Sequence, residues 1–534
     1  MFNRWRKVAM VLLLATAAVA EPPNVVVLVA DDVGYGDLSC YGNPYVNTPH
    51  LDALKGGGVS LDRFMVSPTG AASRAAALTG RHEFAVGVSH TRGGRSLLRP
   101  DSDTIAEVFS NAGFATGIFG KWHLGDAFPC RPEDQGFEKV WVHGGAGLGS
   151  LGDAWGNGEA SPLMRTREGW MRAEGKSLEA TTEAALSWME SQAKKPAPFF
   201  LWLAFDAPRV NSVAEGEEPS SASEAGEDDT LPVPVKRFYR FVEDMDSRIG
   251  RIVEKIDQLD LAEETLICFL SDNGSVMPVF DAGMKGGRGS PHEGGVRVPC
   301  FLRWRGRIES GGEVEALASH VDLFPTLTAL AGVELPEAWT GDGVDLSAAL
   351  LGEASFPRGR VFFTHVGGWS GDDSPQRHRA RNFSIRSDLW RMVGLALYDL
   401  RVDPRQEENV FAEFQEEGAR LLADYGRWWD SVLPSLRRPV RYVVGDPAQR
   451  RVELTAFDWW PSLEGSSGGA PTIWRQDQLR RYLDRARVAK TRNELPGVVG
   501  HWKLSASTAG SYRVQMSLIP PGAPAEDRRS LGKL

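Results

Sequence analysis

Four short runs of consecutive apolar residues form the framework of this chain. Asn24–Ala30 and Thr265–Ser271 are rich in β-branched residues, and Phe199–Phe205 and Ala115–Phe119 have a similar character. Continuous apolar runs of this length are typical of strands that are buried on both faces of a parallel sheet. Charged residues follow each run within two positions, so the ends of the predicted strands carry the candidate chemistry.

Helical periodicity separates these runs. Apolar positions recur at helical spacing over Val235–Leu259 and over Asp103–Ala112. Strands that alternate with helices predict an α/β fold, in which helices flank a mostly parallel central sheet. In such sheets ligands bind beyond the carboxyl ends of the strands, which is where the charged residues lie.

The pattern changes in the last third of the chain. A strand at Leu395–Leu400 and a long helix at Phe411–Val432 predict a smaller α+β subdomain. Farther on, helical patterns become rare, and apolar and polar residues alternate over Tyr512–Leu518 as in a half-buried strand of a terminal β-rich extension. The predicted domains are therefore a catalytic-type α/β domain at 21–355, the α+β subdomain at 356–438 and the extension at 439–534.

Composition and charge exclude one class of function. The 534 residues suffice for two or three domains, and the formal net charge is −10. Residues 214–229 hold seven acidic residues and no basic one. We expect 213–234 to form a disordered acidic surface loop. The rest of the chain has no basic surplus, which argues against nucleic acid as a partner.

The first twenty residues have the features of an export signal. Basic residues precede the apolar run Val8–Ala20, which ends in an A-x-A-like cleavage pattern. The alternative is a membrane anchor, but this run is short for a bilayer span. We therefore expect residues 1–20 to be a signal peptide, the protein to be exported to the periplasm or secreted, and the mature chain to have no membrane span.

Two pairs of oxygen-bearing side chains follow predicted strands. Asp31 and Asp32 come directly after the first apolar run, and Asp272 and Asn273 come directly after Thr265–Ser271. Either pair alone could be a helix cap or a turn. Together they provide four hard oxygen ligands, which suit Ca²⁺ or Mg²⁺ better than zinc.

A candidate anion site lies at residues 67–81. Ser67-Pro68-Thr69-Gly70 is typical of a turn, and the alanine-rich run after it favours a helix. The first turn of such a helix has free backbone N–H groups and the positive end of the helix dipole. Arg74 would add a cation one turn into the helix.

Residues 67–81 resemble the signature of the sulfatase family, which is Cys-x-Pro-x-Arg followed by an Ala/Leu run and Thr-Gly-Arg. In that family the cysteine is converted to formylglycine, whose hydrate attacks sulfate esters. Further blocks that resemble the family occur in order at Asp31–Asp37, Thr48–Asp52, Gly120–Gly125, Ser271–Gly274, Glu293–Pro299, Val321–Thr326, Leu397–Leu400 and Asp403–Pro404. Ordered blocks over so much of the chain are far more specific than one motif.

The resemblance implies a sulfatase or alkaline-phosphatase-like fold and assigns roles to seven residues. Asp31, Asp32, Asp272 and Asn273 match the metal ligands. Arg74, Lys121 and His123 match the groups that surround the nucleophile in the family. All seven are present in this chain.

Three positions depart from the family pattern. Gly70 stands where the family has the cysteine, so no formylglycine can form there. Arg209 replaces a histidine on the substrate side, and Arg288 replaces a lysine that contacts the sulfate. A local gap would instead bring Lys285 into register with that lysine.

These departures favour anion binding without standard turnover. Arginine keeps positive charge and offers a fork of donors for sulfate oxygens, but it cannot serve as a general acid. The first hypothesis is an exported sulfatase homologue that binds a sulfated small molecule, a sulfated glycan or another anionic ester. The alternative is an active hydrolase of sulfate or phosphate esters that uses Thr69 or a metal-bound water. A sequence error at position 70 would not explain Arg209 and Arg288.

Overall fold

The computed structural model describes residues 21–208, 231–369, 373–461, 475–481 and 500–516. The predicted signal peptide, Arg209 and most of the predicted acidic loop lie outside these residues. The strands are β1 (Asn24–Ala30), β2 (Val59–Met65), β3 (Ala115–Lys121), β4 (Lys139–His143), β5 (Leu163–Thr166), β6 (Gly169–Arg172), β7 (Phe199–Ala204), β8 (Thr265–Ser271), β9 (Cys300–Arg303), β10 (Gly312–Ser319), β11 (Val361–His365), β12 (Phe383–Ser387), β13 (Trp390–Val393), β14 (Ala396–Asp399), β15 (Tyr442–Val444), β16 (Trp460–Pro461), β17 (Gly500–His501) and β18 (Leu504–Ala506).

Helices alternate with these strands along the first two thirds of the chain. The α-helices are α1 (Pro49–Gly56), α2 (Gly70–Thr79), α3 (Ile105–Asn111), α4 (Ser177–Gln192), α5 (Val233–Gln258), α6 (Glu293–Val296), α7 (Leu323–Leu330), α8 (Ser347–Leu350) and α9 (Gln415–Leu436). The helix α5 begins at Val233, so the last two residues of the predicted acidic loop belong to a helix. Among the described residues, no helix combines the length and the apolar character that crossing a membrane requires.

A ten-stranded sheet forms the centre of the α/β part, in the order β10-β2-β9-β8-β1-β7-β3-β4-β5-β6. The five neighbouring strands β8, β1, β7, β3 and β4 are parallel, whereas β9, β5 and β6 pair antiparallel with their neighbours. The prediction of a mostly parallel central sheet is confirmed. The predicted bounds of β1 and β8 are those observed, while β3 extends two residues farther, to Lys121.

Alternate residues of β1 supply the two cores on either face of the sheet. Val25, Val27 and Val29 belong to the core that is covered by α2, α3 and α7. Val26 and Leu28 belong to the core that is covered by α1, α4 and α5. Because successive side chains of a strand point to opposite faces, a strand buried on both faces must be apolar throughout.

A second, four-stranded antiparallel sheet follows, in the order β11-β12-β13-β14. It packs with α9 around a separate apolar core that includes Ile385, Met392 and Trp429. The predicted α+β pattern is therefore present, although its helix begins at Gln415 rather than Phe411 and ends at Leu436.

The terminal region differs from the sequence prediction in one respect. Its described parts pair as β15 with β18 and as β16 with β17. The strand predicted over Tyr512–Leu518 is wrong for its described part, since residues 511–516 have no regular secondary structure. Val514 is 79% exposed and Met516 is 86% exposed, so their alternation with polar residues has no packed face. The predicted domain boundaries stay predictions.

Candidate active site

Three parallel strands of the central sheet bring the candidate residues to one edge of the sheet. Asp31 and Asp32 follow β1, and Asp272 and Asn273 follow β8. Lys121 is the last residue of β3, which is separated from β1 only by β7. All these side chains are buried. The structure thus brings together groups that are up to 242 positions apart in the printed sequence.

The helix α2 points its first turn at this cluster. It begins at Gly70 after an extended Thr69 with φ −147° and ψ 143°, and all its residues are buried. A Cβ atom added to Gly70 in ideal geometry would lie 2.3 Å from Oδ2 of Asp272 and 3.6 Å from Oδ1 of Asn273. The positive end of the helix dipole therefore faces acidic oxygens, which is electrostatically favourable.

Two buried basic side chains bind two of the carboxylates. Lys121 Nζ lies 2.8 Å from Oδ1 and 2.6 Å from Oδ2 of Asp31. Arg74 donates to Oδ2 of Asp272 from Nε at 3.1 Å and from Nη2 at 2.8 Å. Arg74 also donates from Nη1 to the backbone carbonyl of Lys121 at 3.3 Å, which ties α2 to the end of β3.

A third basic residue, Arg288, binds the remaining carboxylate, that of Asp32. Arg288 Nε lies 2.8 Å from Oδ1 of Asp32, and the Arg288 side chain is 38% exposed, so it stands at the mouth of the site. Asn273 donates from Nδ2 to the same oxygen at 2.8 Å. Asp32 has φ 69°, in the left-handed region, and its N–H donates to Oδ1 of Asp272 at 3.1 Å. The strained backbone is thus held by the cluster itself.

The buried carboxylates differ in their tendency to ionise. Burial opposes the charged form of Asp31, but Lys121 and Arg74 outweigh it, and its pKa lies below the ordinary value. Burial raises the pKa of Asp32 to about 7, with the attraction of Arg288 acting against this and the repulsion of Asp31 adding to it. Burial and repulsion from Asp31 raise the pKa of Asp272 in the same way. The cluster is therefore crowded with negative charge.

The residues present fit a hard divalent cation. Carboxylate oxygens of Asp31, Asp32 and Asp272 all lie within 4.8 Å of one another. Oδ1 of Asn273 is buried and has no hydrogen-bond partner among the described residues. Three carboxylates and one unpartnered amide oxygen are the donor set that Ca²⁺ or Mg²⁺ prefers. A bound cation would also relieve the mutual repulsion of the carboxylates.

His123 is fixed as a neutral imidazole with one available lone pair. Its Nε2 lies 2.8 Å from the carbonyl oxygen of Thr91, which can only accept, so Nε2 carries the proton. Nδ1 is then the unprotonated nitrogen, and it is buried without a hydrogen-bond partner in the described part of the chain. Burial, and next the charge of Lys121, hold the pKa of His123 well below its ordinary value.

The structure places Arg288, and not Lys285, beside the carboxylates. The backbone N–H of Arg288 donates to Ser275 at 2.8 Å, and the next N–H, of Gly289, donates to Pro68 at 2.8 Å. Arg288 is thereby held against the start of α2. Lys285 instead donates to the carbonyl of Gln406 at 3.1 Å, away from the cluster. Arg209 lies outside the described residues.

Sequence reasoning assigned no role to several neighbours of the site. Asp206, at the end of β7, is buried, and burial raises its pKa to about 7 while Lys121 acts against this. Its position after an apolar run was the available signal. Phe457, from the terminal region, lies with its ring centroid 6.0 Å from that of His123. Burial lowers the pKa of Arg92, and the charge of Arg288 lowers it further. Neither Phe457 nor Arg92 stands in a pattern that would have marked it.

Comparison with known families gives two overlapping matches. The family described as Sulfatase matches residues 23–333. The family described as N-sulphoglucosamine sulphohydrolase, C-terminal, matches residues 290–422. The first match covers the α/β part and the second covers its last segment together with the four-stranded sheet.

Characterised relatives carry sulfatase names. Arylsulfatase A of Homo sapiens is 36% identical over 399 residues, which cover 66% of this chain and 73% of that protein. N-acetylgalactosamine-6-O-sulfatase of Bacteroides thetaiotaomicron is 28% identical over 483 residues, which cover 74% of this chain and 91% of that protein.

Solved structures share the fold. The structure of Ps i-CgsB in complex with k-i-k-neocarrahexaose has a TM-score of 0.66 at 23% identity, covering 77% of this chain and 93% of that one. The phosphonate monoester hydrolase of Agrobacterium radiobacter has a TM-score of 0.55 at 20% identity, covering 77% of this chain and 95% of that one. At these identities the likeness concerns the fold alone.

Proposed function

The chain belongs to the sulfatase family, and we propose that it binds a divalent metal ion and a sulfated or other anionic ligand without a formylglycine nucleophile. The observation that carries this proposal is the environment of Gly70. The basic groups around that position are assembled, yet the position has no side chain, and Oδ2 of Asp272 fills the place of a Cβ. Glycine offers no atom that could be oxidised to an aldehyde or attack an ester.

The anion would meet three kinds of positive group. Arg74 and Lys121 are buried beside the first turn of α2, and Arg288 stands at the mouth. Buried guanidinium and ammonium groups form charge-assisted hydrogen bonds to sulfate oxygens, and a helix N-terminus adds backbone N–H donors. An arginine at position 288 in place of the family's lysine keeps the positive charge, since arginine is always protonated.

The metal would be held by Asp31, Asp32, Asp272 and Asn273, with Ca²⁺ as the first candidate and Mg²⁺ as the second. When bound, it would supply a positive charge that polarises an ester oxygen. The chain's own residues would then bind and orient the anion. His123 could accept a proton at Nδ1, but no side chain at position 70 exists to provide one.

The ligand class follows from the relatives together with the charge of the site. Relatives include N-acetylgalactosamine-6-sulfatases, so a sulfated sugar is our first choice, with other sulfated small molecules or anionic esters next. Residues 1–20 support export to the periplasm or secretion, which would give the protein access to such ligands.

The test pairs binding with turnover. Calorimetric titration of the full chain with sodium sulfate, in the presence of calcium, should show binding that weakens as salt is added. Aryl sulfate and aryl phosphate should not be hydrolysed faster by the wild type than by Arg74→Ala/Lys121→Ala. Hydrolysis by the wild type that this double variant abolishes would overturn the proposal.

A second candidate function is ester hydrolysis by Thr69 or by water. Thr69 is half-buried at the N-cap of α2, and its side chain does not cap the helix, which leaves the hydroxyl available. If Thr69 is the nucleophile, Thr69→Ala should abolish hydrolysis and retain sulfate binding. The matched control is Thr79→Ala, which removes a hydroxyl at the other end of the same helix. Hydrolysis that survives Thr69→Ala would point to water instead.

A further inference from the structure

The described part of the terminal region contacts a glycine-rich loop at the site. This glycine loop, residues 144–157, follows β4 at the carboxyl edge of the sheet. The contacts come from residues 475–481, a short segment beyond both matched family regions. The family resemblance therefore assigns no role to this segment.

The glycine loop contacts the side chain of Asp206, which lies beside the candidate anion site. The N–H of Leu148 donates to Oδ2 of Asp206 at 3.0 Å. A Cβ added to Gly147 would lie 2.6 Å from Oδ1 of Asp206, so the loop backbone rests directly on this side chain. Asp206 in turn lies at the end of β7, between the strands that carry Asp31 and Lys121.

The side chain of Gln476 holds the outer half of this loop. Its Nε2 lies 3.0 Å from the carbonyl of Ser150, 3.2 Å from that of Asp153 and 3.0 Å from that of Ala154. Its Oε1 accepts from the N–H of Gly156 at 2.7 Å. Gln476 is itself buried, so these contacts replace water.

The backbone of the same residue completes the attachment. The N–H of Gln476 donates to the carbonyl of Gly149 at 3.1 Å. Inside the loop, Asp153 accepts from the N–H of Gly149 at 2.9 Å, and Asp126 accepts from that of Gly145 at 2.7 Å. The inner half of the loop is therefore held by carboxylates of the α/β part, and the outer half is held by Gln476.

We infer that Gln476 is a positioning residue, which fixes the glycine loop as a wall that meets the organic group of the ligand. The inference rests on the proposed function, because it concerns the same anion site. Inorganic sulfate fills only the cluster of Arg74 and Lys121. A sulfated sugar reaches past the cluster, and its affinity then depends on where the loop stands. The terminal region thus contributes to ligand selection through the buried amide of Gln476, and Arg480 of the same segment lies 5.1 Å over the ring of Trp155 in the loop.

The test compares two probes on the full chain in calcium. Wild type and Gln476→Ala are titrated with sodium sulfate and with N-acetylgalactosamine 6-sulfate. We expect Gln476→Ala to weaken sugar binding about 10-fold and to change sulfate binding less than about 2-fold. Gln476→Glu keeps the size of the side chain but turns its donor into an acceptor that faces three carbonyls, so it should behave like Gln476→Ala.

Gln478→Ala is the matched control, since Gln478 accepts from the N–H of Arg475 within its own segment. It should leave both affinities unchanged. Hydrogen exchange gives an independent readout, in which amides of residues 149–156 should exchange faster in Gln476→Ala than in the control. Gln476→Asn, a shorter side chain with the same groups, serves if Gln476→Ala does not fold.

Each result decides a different claim. Equal weakening of both probes, or of neither, would overturn the positioning role while leaving the proposed function standing. If the wild type binds neither probe, the proposed function is wrong, and the role in ligand selection is wrong with it. Unchanged exchange of the loop amides in Gln476→Ala would reject the attachment itself.

Discussion

At the scale of single residues, Gly70 is the position on which the proposed function depends. By the family resemblance a cysteine is expected at this position, and the space for its side chain is taken. Oδ2 of Asp272 lies 2.3 Å from the place that a Cβ of residue 70 would take. Arg74 donates to this oxygen at 2.8 Å, and the N–H of Asp32 donates to the other carboxylate oxygen, Oδ1, at 3.1 Å. A new side chain must therefore displace a carboxylate that has bonded partners.

Gly70→Ala should destabilise the protein by about 1–2 kcal/mol, because the cost of moving Asp272 exceeds the gain in helix propensity. Urea unfolding measures the change. Gly70→Cys should cost a similar amount, since both substitutions add the same Cβ. An equal or higher stability of Gly70→Ala would mean that Asp272 moves aside freely.

Arg288 and Arg297 are a matched pair for testing the mouth of the site. Arg288 binds Asp32 in the cluster, whereas Arg297 lies 4.3 Å over the ring of Tyr35 and donates to the carbonyl of Asp62 at 2.6 Å. Arg288→Ala should lower sulfate affinity about 5-fold, since one cation near the anion is lost. Arg297→Ala should leave that affinity unchanged. Calorimetry that finds equal effects would remove Arg288 from the anion site.

At the scale of elements, buried ion pairs join the small sheet to the α/β part. Glu293, which begins α6, accepts from Arg391 Nη1 at 2.8 Å and lies 3.5 Å from Arg386 Nε, and these arginines belong to β13 and β12. Asp322 is bound by Arg360 at 2.6 Å in the same way. Since α6 begins a few residues after Arg288, these ion pairs also hold the backbone segment that follows the site.

Glu293→Gln should destabilise the protein by about 3 kcal/mol at pH 7, because two buried arginines lose a charged partner. Burial raises the pKa of Glu293, but Arg386, Arg391 and Arg297 outweigh it and lower the pKa to about 2. A lowered pKa stabilises the fold above the unfolded value of 4.5, and this contribution is lost as the pH falls toward 2.

The stability difference between wild type and Glu293→Gln, measured by urea unfolding, should therefore be constant above about pH 5 and shrink below it. Lys194 and Glu190, an exposed pair near the end of α4, provide the control, and Lys194→Gln should change stability little at any pH. A difference for Glu293→Gln that does not vary from pH 7 to pH 3 would contradict the assignment.

At the scale of the whole molecule, the site is balanced by charges from distant segments. Asp31, Asp32 and Asp272 are paired with Lys121, Arg288 and Arg74. A divalent cation at these carboxylates would compete with the basic groups for the same oxygens, and the groups that it released would be those proposed to bind an anion. Metal and anion should therefore bind with positive coupling.

Calcium should raise Tm by about 2 °C or more, since a ligand that binds only the folded chain stabilises it. Asp31→Ala/Asp272→Ala should remove this rise. The control is Asp246→Ala, a buried carboxylate that accepts from the N–H of Leu51 at 2.7 Å in another part of the fold. Differential scanning calorimetry that finds the same rise in the double variant would refute the metal site.

Calcium should also raise sulfate affinity by about 5-fold or more, and sulfate should raise calcium affinity by the same factor. Titrations in both orders measure the two factors. Independent binding would show that the basic groups are not released by the metal.

The sequence by itself determined the strands and the candidate ligands they carry. Asn24–Ala30 and Thr265–Ser271 are apolar throughout because both faces are buried, so their bounds can be read locally. Asp31 and Asp272 follow them, and parallel strands end at one edge of the sheet. By contrast, the alternation at Val514 and Met516 predicted a strand wrongly, because a strand also needs a partner, which periodicity does not report.

Only the tertiary structure decided what surrounds that edge. Arg288 rather than Lys285 faces Asp32 because the loop is bonded to Pro68 at the start of α2. Phe457 lies beside His123, and Gln476 holds the glycine loop, across more than 300 residues of chain. Such contacts produce no periodic pattern in the local sequence, since they depend on how distant segments of the chain pack together. The same holds for Asp272, whose oxygen fills the space at Gly70 that the sequence leaves empty.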